Sequence, residues 1–302
     1  MKKITAKLFL AFLVVAEVFW GGAARVSADT APKPSVAIEF ENMNEEKYYV
    51  TLLSESKSTG PYSVVVNGET EDKSEAWKAF FNYSDSDGFY FLQYYGELEG
   101  DGSFVWGYYP PDRFKILLYF PERDLYFVSG EIYMRYAFDS YYRVDGSRLD
   151  LNGAADISRI DNMARESYEY GSELLSLAAR VIITVALELG IALFFAAFRK
   201  KYWIKTILFT NLATQLLLNA GLNAAAYWGG PKEARFAYIA AEIAVIAAEC
   251  AVYRLMNKRT CKGGGADGVQ LENGLLFVYA CMANLVSFFA GLGIAKIIPG
   301  IF

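Results

Sequence analysis

The chain has 302 residues, 54% apolar and 16% aromatic, with a formal net charge of −5 and no histidine. The missing histidine removes histidine general bases, histidine metal ligands and the Ser-His-Asp and Cys-His arrangements of nucleophilic catalysis. No basic stripe lies outside the membrane flanks, which excludes nucleic acid as a partner.

The chain starts MKKITAKLFLAFLVVAEVFWGGAARVSADT. Lys2, Lys3 and Lys7 precede an apolar run over 8–20, and Val26 and Ala28 are small residues at −3 and −1 of a cleavage site. The pattern predicts a signal peptide over 1–28. The alternative is an uncleaved anchor, because Glu17 interrupts the run and Arg25 sits close to the cut. Both readings put residue 29 onward outside the cytoplasm.

Residues 29–173 carry 27 acidic against 13 basic side chains and 17 of the 22 tyrosines. The cysteines are Cys250, Cys261 and Cys281, so this exported part has no disulfide. Its length suffices for a core without one. Strand patterns run over 35–40, 47–54, 103–109, 114–120 and 124–129, with EIYMRYAFDSYYRVDG following. A turn at Gly60–Pro61 separates two further strands, the second ending at Asn67–Gly68. Helical spacing is found in EAWKAFFNY, 75–83. Short strands between turn residues predict an all-β, sandwich-like domain over 29–149, immunoglobulin-like in outline.

Tyr108, Tyr109, Tyr141 and Tyr142 are candidates for a binding surface, with packing as the alternative role. DSDGFY (85–90) and ELEGDG (97–102) gather acids and glycine but do not match the twelve-residue calcium loop, so they read as solvated turns. No metal site and no cofactor are expected. Over 150–173, Ile157, Ile160 and Met163 suggest an amphipathic helix connecting this domain to the bilayer.

Residues 174–302 hold four apolar runs, at about 174–198, 202–228, 234–254 and 274–298, each long enough as a helix for the hydrocarbon core. Together they predict a four-helix transmembrane bundle. The 199–205 turn carries four bases and no acid, and the 254–273 loop four bases against Asp267 and Glu272. The positive-inside rule puts both in the cytoplasm, with the N-terminal domain and the C-terminus outside. A signal peptide demands the same orientation, which is that of a multi-pass protein of a bacterial cytoplasmic membrane.

Polar residues recur in all four runs. The first carries Glu188 and the second Asn211, Gln215, Asn219 and Asn223, each four apart. The third carries Glu242 and Glu249, and the fourth Asn284 with Ser287. Counted from the cytoplasmic ends at 1.5 Å per residue, Glu188, Gln215, Glu242 and Asn284 lie about 15–19 Å deep, Asn211 about 13 Å and Glu249 about 7 Å. The ladder is therefore expected to face Glu188 and Glu242 near the midplane, with Asn223 nearer the outer interface. Two roles compete for this seam: hydrogen bonds that fix helix packing, and a path for protons or solutes. Intramembrane chemistry has little support. Glu242 and Glu249 resemble the acids of intramembrane glutamate endopeptidases, but the histidines and the Glu-Glu-x-x-x-Arg motif are absent.

The layout resembles uncharacterised clostridial-type bacterial membrane proteins, on IEFENMNEEKYYVTLLSESKSTGP (38–61), FKILLYFPERDLYFVSG (114–130) and the ladder at 211–223. The resemblance implies an arrangement and no activity. The expected role is a cell-surface sensor, binding or assembly factor acting through the acidic β-domain, with a membrane or surface protein, or a second copy, as partner. The alternative is a small-solute or ion/proton-coupled transporter component.

Overall fold

The computed structural model describes residues 32–64, 74–153, 155–195, 198–262 and 271–297. The signal peptide, the strand end at Asn67–Gly68 and most of the glycine-rich loop lie outside the described residues. The chain divides into two compact units. One comprises Pro32–Tyr170 with Ala225–Pro231, the other Gly171–Ala224 with Lys232–Phe302.

The first unit is a mixed β-sheet domain. Its strands are β1 (Ser35–Glu41), β2 (Lys47–Ser54), β3 (Ser58–Thr59), β4 (Tyr62–Ser63), β5 (Tyr90–Phe91), β6 (Gly96–Glu99), β7 (Gly102–Trp106), β8 (Arg113–Phe120), β9 (Leu125–Ser129), β10 (Tyr133–Met134), β11 (Asp139–Asp145), β12 (Ile157–Ile160) and β13 (Ala164–Glu166). A four-stranded sheet has the order β13-β11-β1-β7. A seven-stranded sheet follows β12-β9-β8-β2-β5, with β10 paired to β8 and β6 to β2.

Alternation places the core. In β1, Val36, Ile38 and Phe40 are buried between more exposed neighbours. They meet Val50, Leu52, Ile116, Leu118 and Phe127 of the larger sheet in one cluster. Strand β8 is buried on both faces. Phe114, Ile116, Leu118 and Phe120 enter that cluster, while Leu117 and Tyr119 enter a second one with Phe80. Phe80 belongs to helix α1 (Glu75–Asn82), which Ser74 caps by accepting from the Trp77 N–H at 3.1 Å. The expected turn joins β3 and β4, with Gly60 at φ +48° against the Tyr109 ring.

Two expectations are corrected here. Strands β1 and β11 pair in parallel from Ser35–Asp139 to Glu41–Asp145, and β12 pairs in parallel with β9. Immunoglobulin-like sheets are antiparallel, so the domain is not of that outline. The 150–173 segment is also not a connecting helix. It supplies β12 and β13, and Met163 is buried in the main core. The spacing of Ile157 and Ile160 suits a helix, but the free edges of β9 and β11 offer backbone partners that a helix would forgo.

The second unit is helical: α2 (Tyr170–Phe194), α3 (Lys201–Lys262) and α4 (Asn273–Ile297). Among the described residues, three helices, not four, are long and apolar enough to cross a membrane. The expected second and third spans form the single element α3 of 62 residues, broken at Gly230, whose φ of 82° and ψ of −178° are not helical. Only glycine holds that backbone readily, and Pro231 follows at a position where a new helix tolerates its missing N–H. The break needs one residue, where the sequence GGPKEAR suggests a loop.

Candidate functional site

The first half of α3 buries Trp203, Thr206, Ile207, Thr210, Asn211, Gln215, Leu218 and Asn219, a stripe at spacings of three and four. Leu212, Leu216 and Leu217 are exposed on the other side. The amides therefore face protein, as lipid requires of groups it cannot hydrogen-bond.

Their partners differ from those expected. The centre of the seam is Glu249, which is 0% exposed. Thr214 Oγ1 donates to its Oε1 at 2.9 Å, and Asn284 Nδ2 donates to its Oε2 at 2.6 Å. Tyr253, one turn further on, donates to Asn211 Oδ1 at 2.7 Å. On α2, Glu188 is also fully buried and accepts from Ser287 Oγ at 3.0 Å. The Tyr279 hydroxyl reaches the Glu188 carbonyl oxygen at 3.2 Å. Eight side chains thus link α2, both halves of α3 and α4.

Three placements are corrected. Glu242 does not join the ladder: it is half-buried and paired with Tyr238, four residues earlier on its own helix. Gln215 and Asn219 bond each other, Asn219 Nδ2 donating to the Gln215 carbonyl at 2.8 Å, and reach neither acid. Glu249 is not peripheral. It is fully buried and bonded to Thr214 and Asn284, which places it within the seam. The ladder also drifts about 40° per four residues, which carries Asn223 off the face that Asn211 occupies. Asn223 accepts from Arg180 of α2 at 3.0 Å.

Thr214, Tyr253 and Tyr279 were not singled out from the sequence. Thr214 lies three residues after Asn211 and Tyr253 four after Glu249, so helical neighbourhood to a polar residue was the available signal. Cys250 packs in the apolar cluster with Trp203, Tyr253 and Tyr279.

In the β unit, the four tyrosines split. Tyr142 is 3% exposed and belongs to the core, with its hydroxyl donating to the Met134 carbonyl at 2.5 Å. It is not a surface residue: β11 points 140, 142 and 144 inward. Tyr109 and Tyr141 are exposed, and Tyr108 is half-buried with its ring edge-on to Tyr109.

The DSDGFY turn is less solvated than its composition suggests. Asp85 is buried and receives Lys115 Nζ at 2.9 Å, along with the backbone N–H groups of Asp87 and Phe89. Lys115 also bonds Asp87 at 2.5 Å and sits over the Phe89 ring. Its ammonium occupies the place where a cation would meet these acids.

Comparison with protein-family models, curated proteins and solved structures finds no match for this chain.

Proposed function

We propose that this chain displays an acidic β-domain on the outer face of a bacterial cytoplasmic membrane, as a sensor or binding module on a hydrogen-bonded helical base. Among the described residues the chain has a β-sheet domain and a helical region with three helices of membrane length. In this reading the break at Gly230 makes α3 two spans, giving four crossings with 199–205 and the 263–270 loop inside. The two large sheets act as a sandwich whose exposed aromatics, Tyr109 and Tyr141, meet a surface partner or a second copy.

One observation carries the choice of a structural base: both oxygens of Glu249 accept from side chains of other helical segments, Thr214 and Asn284. An acid committed in this way fixes helix register. The runner-up, a proton- or ion-coupled transporter component, draws on Glu188, one of whose oxygens has no hydrogen-bond partner among the described residues.

Single cysteines replacing Ser103 and Lys258, on a background without the native three, test the display. An impermeant maleimide on intact cells should label position 103 and spare 258. Labelling of 258 with 103 protected would overturn the orientation. Proton-dependent solute flux in vesicles, lost in Glu188→Gln with folding retained, would favour the transporter.

A further inference from the structure

Three buried polar atoms of the seam have no hydrogen-bond partner among the described residues: Glu188 Oε2, Asn211 Nδ2 and Asn284 Oδ1. Their residues are 0%, 0% and 1% exposed. Each comes from a different helix, α2, α3 and α4. Unpaired polar groups are costly in a membrane interior, where no bulk water reaches them.

The bonds around them tie the three residues into one network. Ser287 Oγ lies 3.0 Å from Glu188 Oε1 and 2.9 Å from the Asn284 carbonyl oxygen, so the Glu188 carboxyl sits beside the turn that carries Asn284. Tyr279 bonds the Glu188 carbonyl, and the Asn211 carboxamide interacts with the same hydroxyl without meeting full hydrogen-bond geometry. Asn211 is held from its other side by Tyr253.

The set comprises a carboxyl oxygen, an amide oxygen and an amide N–H. A bare cation calls for acceptors alone, and Asn211 would turn a donor toward it. An anion calls for donors alone. A water molecule donates two hydrogen bonds and accepts one, which complements two acceptors and one donor. Three bonds is also the usual number for a buried structural water. We propose that one bound water joins Glu188 Oε2, Asn284 Oδ1 and Asn211 Nδ2, linking α2 to the first half of α3 through solvent. This deepens the reading of the seam as a structural lock and rests on it.

The test uses the full chain in detergent, with 15N-labelled asparagine. The Asn211 side-chain signal is assigned by its loss in Asn211→Leu, or in Asn211→Asp if the leucine variant does not fold. A cross-peak between that NH2 group and long-lived water is expected. Unfolding temperature should be the same in sodium, potassium and choline chloride at equal ionic strength. No cross-peak from an assigned Asn211 would overturn the proposal. So would a rise in unfolding temperature specific to sodium or potassium, which would make the ligand a cation. Coupling between Glu249 and Asn284 is independent of this water: if that coupling is present and the cross-peak is missing, the water alone is wrong.

Discussion

Asn284 Nδ2 donates to Glu249 Oε2 across 2.6 Å, joining α4 to the second half of α3 through two side chains that are almost wholly buried. Thr214 holds the other oxygen of the same carboxyl from the first half of α3. A carboxyl in an apolar interior is disfavoured unless its oxygens are engaged. Here the engagement comes from other helical segments, so satisfying the acid and positioning the helices are the same event.

The Lys115–Asp85 pair makes the first prediction. Both side chains are buried, at 0% and 1% exposure. Lys115→Met leaves Asp85 without its cation and should destabilise the β unit by about 3–5 kcal/mol. Lys115→Met combined with Asp85→Asn should recover part of that loss. The measurement is the urea midpoint followed by tryptophan fluorescence. A single variant as stable as the parent would contradict the pair's role.

Acid should unfold the β unit in a defined window. The Lys115 hydrogen bond holds Asp87 below its ordinary 3.8, against the opposing effect of burial, and the Arg159 charge helps. Arg123 lowers Glu46 and Lys47 lowers Glu97, both from 4.5. Each group is depressed in the folded state, so its contribution is complete above the ordinary value and disappears as pH falls through the lower folded value. The urea midpoint should be flat with respect to these groups from pH 7 to 5, then fall below about pH 4. A midpoint that rises as pH drops from 4 to 3 would refute this sign.

Tyrosines 141 and 142 are neighbours with opposite roles. Tyr142→Ala empties a core position and should cost about 3–5 kcal/mol, by analogy with other large aromatic truncations. Tyr141→Ala removes a half-exposed ring that packs edge-on against Tyr168 and should cost about 0.5–1.5 kcal/mol, well below the loss at position 142. The hydrogen bonds of Tyr141 to Tyr136 use its backbone and survive the change. Denaturant midpoints of the two variants check the contrast; equal losses would contradict it.

The β-domain was legible where one periodicity dominated. Alternation in 35–40 and the long apolar strand at 114–120 marked elements, and α1 followed from the spacing of Ala76, Phe80 and Tyr83. Strand partners were not legible. The pairing of β1 with β11 joins residues about a hundred positions apart, and nothing local records it. Ile157 and Ile160 share a face only on a helix, and the parallel pairing with β9 put them on opposite faces of a strand instead. In the helical unit, the amide spacing showed which face of α3 is buried. It did not show that Thr214, between the amides, would reach Glu249. Counted depth did not show which acid meets the other helices: Glu249 bonds Thr214 and Asn284, while Glu242 pairs with Tyr238 on its own helix.

The central claim is that Glu249 and Asn284 lock their helices together. A double-mutant cycle with Glu249→Leu and Asn284→Leu, read by reversible unfolding of the full chain in detergent, tests it most directly. The account predicts a coupling of about 0.6–1.7 kcal/mol between the two positions, in the range of hydrogen bonds between membrane helices. Additive losses, with a coupling indistinguishable from zero, would contradict it.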